Sequence, residues 1–156
     1  MRVIGLLLAG AFWWTLLEYL LHRFAFHKEG PLFGKRHLAH HANLQKRRLA
    51  IAPWQSMLGG AVLQGLAFWW AFGVADGGTL FLGFLGGYVA YEWVHYSTHY
   101  KVPRTAIGKY LRAYHLAHHH RSPDRRFGVT SPLWDVVFGT YSPVPKGRGA
   151  IKVNPG

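Results

Sequence analysis

Long apolar runs alternate with short basic segments along the chain. Val3 to Leu21 is almost wholly apolar, long enough to cross a bilayer as a helix. A second apolar run opens at Pro53 and reaches about Val74, and a third goes from Leu80 to about Tyr96. The pattern predicts an all-α integral membrane fold with about three transmembrane helices, over 3–23, 53–74 and 79–97. Asp76-Gly77-Gly78 is expected to make the tight turn between the last two. Gly83 and Gly87 have the spacing that lets membrane helices pack closely. Arg2 ahead of the first run would also suit a signal peptide. No small-residue cleavage site follows, and the run leads directly into Glu18, His22 and His27, so a retained helix is expected. Residues 1–142 read as one membrane domain, and 143–156 as a Pro/Gly-rich tail with partial disorder expected.

The polar segments change the picture by their charge. The chain has 18 Lys and Arg against 6 Asp and Glu, a net charge of +12, yet only 15% of its residues are charged and 50% are hydrophobic. Basic residues interleaved with apolar runs, and no nucleic-acid motif, point to anionic lipid headgroups and away from nucleic acid. All the basic residues except Arg2 fall on one side of the three spans. The positive-inside rule therefore puts the N-terminus and the Asp76 turn outside, with a cytoplasmic helical cap on the other face. The absence of cysteine excludes disulfides, a cysteine-held iron–sulfur cluster and a thiolate-ligated haem.

Ten of the 11 histidines fall into four clusters at that cytoplasmic face: His22 with His27; His37, His40 and His41; His95 with His99; and His115, His118 and His119. The pentapeptide His-Leu-Ala-His-His occurs twice, at 37–41 and 115–119. In a helix its first, fourth and fifth residues share one face, and His95 and His99 lie on one stripe. His22 and His27 are five apart, about 140° around an ideal helix, so the first span must end, bend or bulge near Phe24. Imidazole is the commonest ligand for iron and zinc, and ten exceed the needs of one ion, so the clusters read as a two-metal centre. Because imidazoles must be neutral to bind metal, occupancy is expected to fall as pH drops towards about 6.5 or below. His120 points away from its neighbours and is expected to stay uncoordinated. Glu18 lies one turn before His22 and Glu92 three residues before His95. Both are expected to accept the second N–H of a ligand histidine, with Asp135 a weaker candidate. Pairing with Arg23, Arg112 or another cation is the alternative use of the two glutamates.

In this order the boxes His-x-x-x-x-His, His-x-x-His-His, His-x-x-x-His and His-x-x-His-His resemble the fatty acid hydroxylase / sterol desaturase superfamily of membrane non-haem di-metal oxygenases. The text is most similar to the fatty acid 2-hydroxylases. The likeness includes Glu18-Tyr19-Leu20-Leu21-His22-Arg23-Phe24, Arg48-Leu49-Ala50 before Pro53, and Gly87-Tyr88 leading to His95. It continues through Tyr114-His115-Leu116-Ala117-His118-His119, Phe127-Gly128-Val129-Thr130-Ser131 and Trp134-Asp135-Val136-Val137-Phe138-Gly139-Thr140. The resemblance implies two metal ions, expected to be iron with zinc able to replace it, O2 as co-substrate, and hydroxylation of a lipid acyl chain entering sideways from the membrane. Eukaryotic 2-hydroxylases carry an N-terminal cytochrome b5 domain and a further span that are not seen here. A separate electron donor of cytochrome b5 or ferredoxin type is therefore expected, in a compact bacterial inner-membrane relative. A carotenoid or sterol hydroxylase shares the boxes. A metal transporter or storage protein would place ligands near the bilayer midplane, and a bis-histidine haem protein would not need adjacent His-His doublets. Helix register and the family's site together divide the ligands: His22, His27, His37 and His41 with His118 for one ion, and His95, His99, His115 and His119 with His40 for the other. Trp13, Trp14, Trp69, Trp70 and Trp93 are expected to be packing or interface anchors.

Overall fold

The computed structural model describes residues 1–28, 30 and 33–144, and every regular element among them is helical. The tail expected from 143 therefore lies, from 145 onward, outside the described residues, as does Pro31. Helix α1 (Arg2–Leu21) is apolar around its whole circumference, exposing Ile4, Leu8, Phe12 and Trp13. Such a helix has no polar stripe to turn to water and suits lipid. A π-helical turn over His22–Phe26 follows it. Helix α2 (Gly34–Ala42) and a 3-10 turn at Arg47–Leu49 lead into α3 (Trp54–Tyr100). Two shorter helices, α4 (Ala106–His120) and α5 (Leu133–Val137), complete the chain.

Helix α3 folds back on itself at Gly73, where φ is 73° and ψ is 177°. That conformation is essentially restricted to glycine. Phe68 and Phe84 then meet with ring centroids 6.2 Å apart, whereas residues sixteen apart on a straight helix would be about 24 Å apart. The reversal thus comes three residues before the expected Asp76-Gly77-Gly78 turn, whose residues are already helical. Gly77 serves close approach: a Cβ there would lie 2.4 Å from the Phe68 carbonyl oxygen. Asp76 forms an ion pair with Arg2, joining the start of α1 to the reversal.

Two helical segments, Arg2–Phe26 and Arg47–Tyr100, are long and apolar enough to cross a membrane, and the second is the folded-back pair of arms. Helix α1 packs on the second arm through small residues. A Cβ on Gly10 would lie 2.0 Å from Leu80 O, and one on Gly83 would lie 2.1 Å from Leu7 O. Trp14, Phe68, Leu80 and Phe84 form the core between the rods. Their outer surfaces expose large apolar side chains, Leu63, Leu66, Val89 and a 90% exposed Trp70 among them. An apolar surface of this extent belongs in lipid. The protein is an all-helical membrane protein with a histidine-rich cap at one end of the rods. The cap is tied down by Tyr100, whose hydroxyl donates to Leu44 O (2.8 Å), and by Trp134 of α5, whose Nε1 donates to Thr15 Oγ1 of α1 (2.9 Å). Thr105 caps α4 by accepting from Gly108 N.

Candidate metal centre

The π-helical turn decides where the first two histidines go. Its i to i+5 hydrogen bonding brings residues five apart towards the same face, and His22 and His27 have ring centroids 5.1 Å apart. Of the end, bend or bulge that the spacing allowed near Phe24, the structure has the bulge, beginning at His22. Helix α2 brings His37 and His41, one turn apart, against them, and α4 adds His118. In this first group His22 Nε2 lies 3.1 Å from His37 Nε2, His27 Nε2 3.0 Å from His118 Nε2, and His41 Nε2 3.0 Å from His37 Nε2. The second group joins His95 and His99 of α3 to His115 and His119 of α4, with His40 reaching across from α2. Here His40 Nε2 lies 3.0 Å from His99 Nε2, His115 Nε2 2.9 Å from His99 Nε2, and His119 Nε2 3.0 Å from His115 Nε2. Within each group the five candidate ligand atoms all lie within 4.8 Å of one another. The two repeated motifs thus exchange one residue each, His40 and His118. The groups touch where His41 and His119 stack at 3.9 Å. His120 is exposed and belongs to neither.

The donor set fits metal ions. His22 Nδ1 donates to Phe127 O (2.6 Å), His118 Nδ1 to Arg125 O (2.6 Å) and His95 Nδ1 to Ala50 O (3.0 Å). With the proton on Nδ1, each Nε2 turns a lone pair towards the others, which is repulsive unless a cation lies among them. Nitrogens about 2.0–2.1 Å from one ion and at right angles to each other would be about 2.9 Å apart, close to the spacings seen. Protonation is not the alternative. Burial, and then the neighbouring His118 and His27, holds His41 at about 2, and burial holds His118 at about 3. Burial, with the Arg36 charge beside it, holds His40 at about 4. Each group could therefore hold a metal ion through neutral imidazoles.

The three carboxylates stand elsewhere than expected. Among the described residues none hydrogen-bonds to a histidine. Glu18 Oε1 accepts from Val129 N (3.1 Å), Thr130 N (2.9 Å) and Thr130 Oγ1 (2.8 Å). Asp135 accepts from Phe127 N and Gly128 N, both at 2.8 Å, and from Thr140 Oγ1 (2.7 Å). Glu92 Oε1 accepts from Ala52 N (3.2 Å) and Tyr88 Oη (2.7 Å). The expected direct contact fails for a geometric reason. A residue one turn from a histidine on the same helix points along that helix, whereas the histidine's second nitrogen faces a neighbouring loop. Nor do the glutamates pair with Arg23 or Arg112, which donate to Tyr19 Oη and the Lys101 carbonyl. The residues that orient histidines are the carbonyls of Ala50, Arg125 and Phe127, which no side-chain pattern could have revealed. Phe127-Gly128-Val129-Thr130-Ser131 and Asp135 were the visible signs of the loop that holds two of them.

Beside the two groups runs an apolar cavity of about 720 Å³ between α1 and both arms of α3. Trp14, Leu17 and Phe84 line its apolar part, Arg36, Glu18 and Glu92 line its polar end, and His37 and His95, one from each group, reach it.

Comparison with known proteins places this geometry. A sequence model of the family described as fatty acid hydroxylase matches residues 7–140. A dihydroceramide fatty acyl 2-hydroxylase of Arabidopsis thaliana is 38% identical over 150 residues, covering 89% of this chain and 61% of the relative. The human fatty acid 2-hydroxylase is 37% identical over 149 residues, covering 89% of this chain and 40% of the relative. Among solved structures, full-length scs7p, with only its hydroxylase domain visible, superposes with a TM-score of 0.78 at 29% identity, over 92% of this chain and 59% of that one. The chain thus spans about three fifths or less of the curated relatives it matches. With the match running from within α1 to Thr140 and enclosing all ten clustered histidines, the chain belongs to the fatty acid hydroxylase family.

Proposed function

We propose that the protein hydroxylates a lipid acyl chain at the carbon next to its carbonyl, as a membrane monooxygenase with two metal ions, expected to be iron. His22, His27, His37, His41 and His118 would hold one ion, and His40, His95, His99, His115 and His119 the other. The cavity carries this reading. One apolar space long enough for an alkyl chain is bordered by a histidine from each group, so a chain in it would lie against both ion positions. The relatives' names, 2-hydroxylases of fatty acids and dihydroceramides, favour acyl chains over sterols or carotenoids.

Bound in those groups, the metal pair would supply the redox chemistry with O2 that inserting an oxygen atom into an acyl C–H bond requires and no side-chain acid or base provides. The protein's own residues do the rest. Neutral, buried imidazoles keep their Nε2 lone pairs available, fixed for His22, His95 and His118 by carbonyl acceptors. The apolar walls at Trp14, Leu17 and Phe84 hold the chain and exclude water. The polar end at Arg36, Glu18 and Glu92 receives the head of the lipid. One oxygen atom enters the C–H bond and the other leaves as water. The two electrons come from a carrier of cytochrome b5 or ferredoxin type, and two protons from solvent complete the water. Zinc in place of iron would occupy the same nitrogens and be inert.

The histidine cap faces the cytoplasm in this reading, with the N-terminus and the Gly73 reversal outside. The Arg2–Asp76 pair supports it by keeping both outer ends together, so the basic residue that breaks the charge asymmetry is matched by an acid. Lipid mass spectrometry of cells with and without the protein, with iron analysis of the purified chain, tests the function. An O2-dependent 2-hydroxyacyl product is expected; a sterol or carotenoid product, or none with iron bound, would refute it.

A further inference from the structure

We infer that the carboxylates act on the ligand histidines through backbone carbonyls, and separately for each ion position: Arg125–Thr130 is a bracket for the first, and Ala50–Ala52 for the second. The inference rests on the two-metal reading above. Its starting point is that His22 and His118, from different helices but the same group, give their Nδ1 protons to carbonyls two residues apart, Phe127 O and Arg125 O, each at 2.6 Å.

The residue between those carbonyls is held in place from every side. Arg126 has φ 62°, a left-handed conformation uncommon for a side chain of its size. Such a conformation persists only where the surroundings over-determine it. Its N–H donates to Thr140 O (3.2 Å), and its buried guanidinium donates to Ser142 O, Ser122 Oγ, Ser142 Oγ and Pro143 O at 2.7–3.1 Å. The next four backbone N–H groups are all taken by carboxylates, Phe127 and Gly128 by Asp135, and Val129 and Thr130 by Glu18. A segment so fixed cannot swing its carbonyls away, so the tautomers and ring orientations of His22 and His118 are fixed with it.

The second group has its own, lighter arrangement. His95 Nδ1 donates to Ala50 O (3.0 Å), and Glu92, steadied by Tyr88 Oη, accepts from Ala52 N (3.2 Å) in the same short segment. Among the described residues, no bond of one bracket involves a histidine of the other group. Asp135, Glu18 and Arg126 are thus positioning residues for the first ion, and Glu92 for the second.

The test uses the full-length protein loaded with zinc and labelled with diethyl pyrocarbonate, which modifies free imidazole nitrogens and is read residue by residue by mass spectrometry. His27, His41 and His119 are half-buried and report on their groups, while exposed His120 labels throughout as the internal control. In the parent protein two zinc ions per chain should resist a chelator, and the three reporters should be protected. Asp135→Asn should weaken one zinc by about 10- to 100-fold and expose His27 and His41, leaving His119 protected. Glu92→Gln should do the reverse. If Asp135→Asn does not fold, Thr130→Val, which removes only the Thr130 Oγ1 bond to Glu18, takes its place, with a smaller loss at the same reporters. Exposure of His119 together with His27 and His41 in a bracket variant, or unchanged zinc retention in both carboxylate variants, would overturn the inference. A parent protein that holds no zinc and labels at all three reporters would instead overturn the metal reading beneath it.

Discussion

Ala61→Leu should shorten the acyl chain that the protein accepts. Ala61 lines the cavity on the first arm of α3, nine residues beyond Ala52, whose N–H marks the polar end through Glu92. The helix from Trp54 carries it about 10 Å along the channel, so only longer chains reach it. Leucine adds three carbons to the wall and displaces about three chain methylenes, each worth about 0.8 kcal/mol of apolar burial. The loss for long chains is then about 2.4 kcal/mol, or about 50-fold in kcat/KM, with short chains unaffected. Competing acyl lipids of graded length, quantified together by mass spectrometry, would show the preference moving to shorter chains. Ala67→Leu on the exposed, lipid-facing part of the same arm is the control and should change nothing. A uniform loss across all chain lengths, or an equal effect of Ala67→Leu, would refute the cavity as the chain site.

Three further outcomes are expected. His120→Ala should leave metal content and activity unchanged while His40→Ala removes the second ion; loss of metal from His120→Ala would show the wrong residue had been left out. In the metal-free protein the folded values of His40, His41 and His118 lie well below the unfolded value of about 6.5, so below that pH the unfolded chain binds more protons. Stability should therefore be full above about pH 6.5 and fall below it, and the loaded protein should keep its metal somewhat below 6.5, lower than free imidazole would allow; circular dichroism and metal content against pH would contradict this if metal left near pH 6.5 with the fold intact. Gly73→Ala, at a positive φ with nothing within 4 Å of the added Cβ, should destabilise the arms by about 1–3 kcal/mol through backbone strain alone, and a thermal midpoint equal to the parent's would count against that conformation.

What the sequence determined by itself was everything carried by side-chain periodicity. Apolar runs of spanning length dictated helices in lipid. The spacings within 37–41, 95–99 and 115–119 set each cluster on one face, and the five-residue gap between His22 and His27 required the first span to end, bend or bulge there. The exchange of His40 and His118 between the groups was expected from their offset around a helix only together with the resemblance to the family's site. Tertiary structure decided what depends on backbone atoms and on long-range approach. Every residue has the same carbonyl, so nothing in the letters marks Ala50, Arg125 and Phe127 as the acceptors for His95, His118 and His22. The carboxylates were legible as important but not in their use, because Glu18 meets Thr130 only after 112 residues of chain have folded back. The reversal fell at Gly73 and not at Asp76-Gly77-Gly78 because the doublet's first glycine was needed where the arms touch, against Phe68. The cavity, too, is a space between three rods, and a space has no sequence of its own.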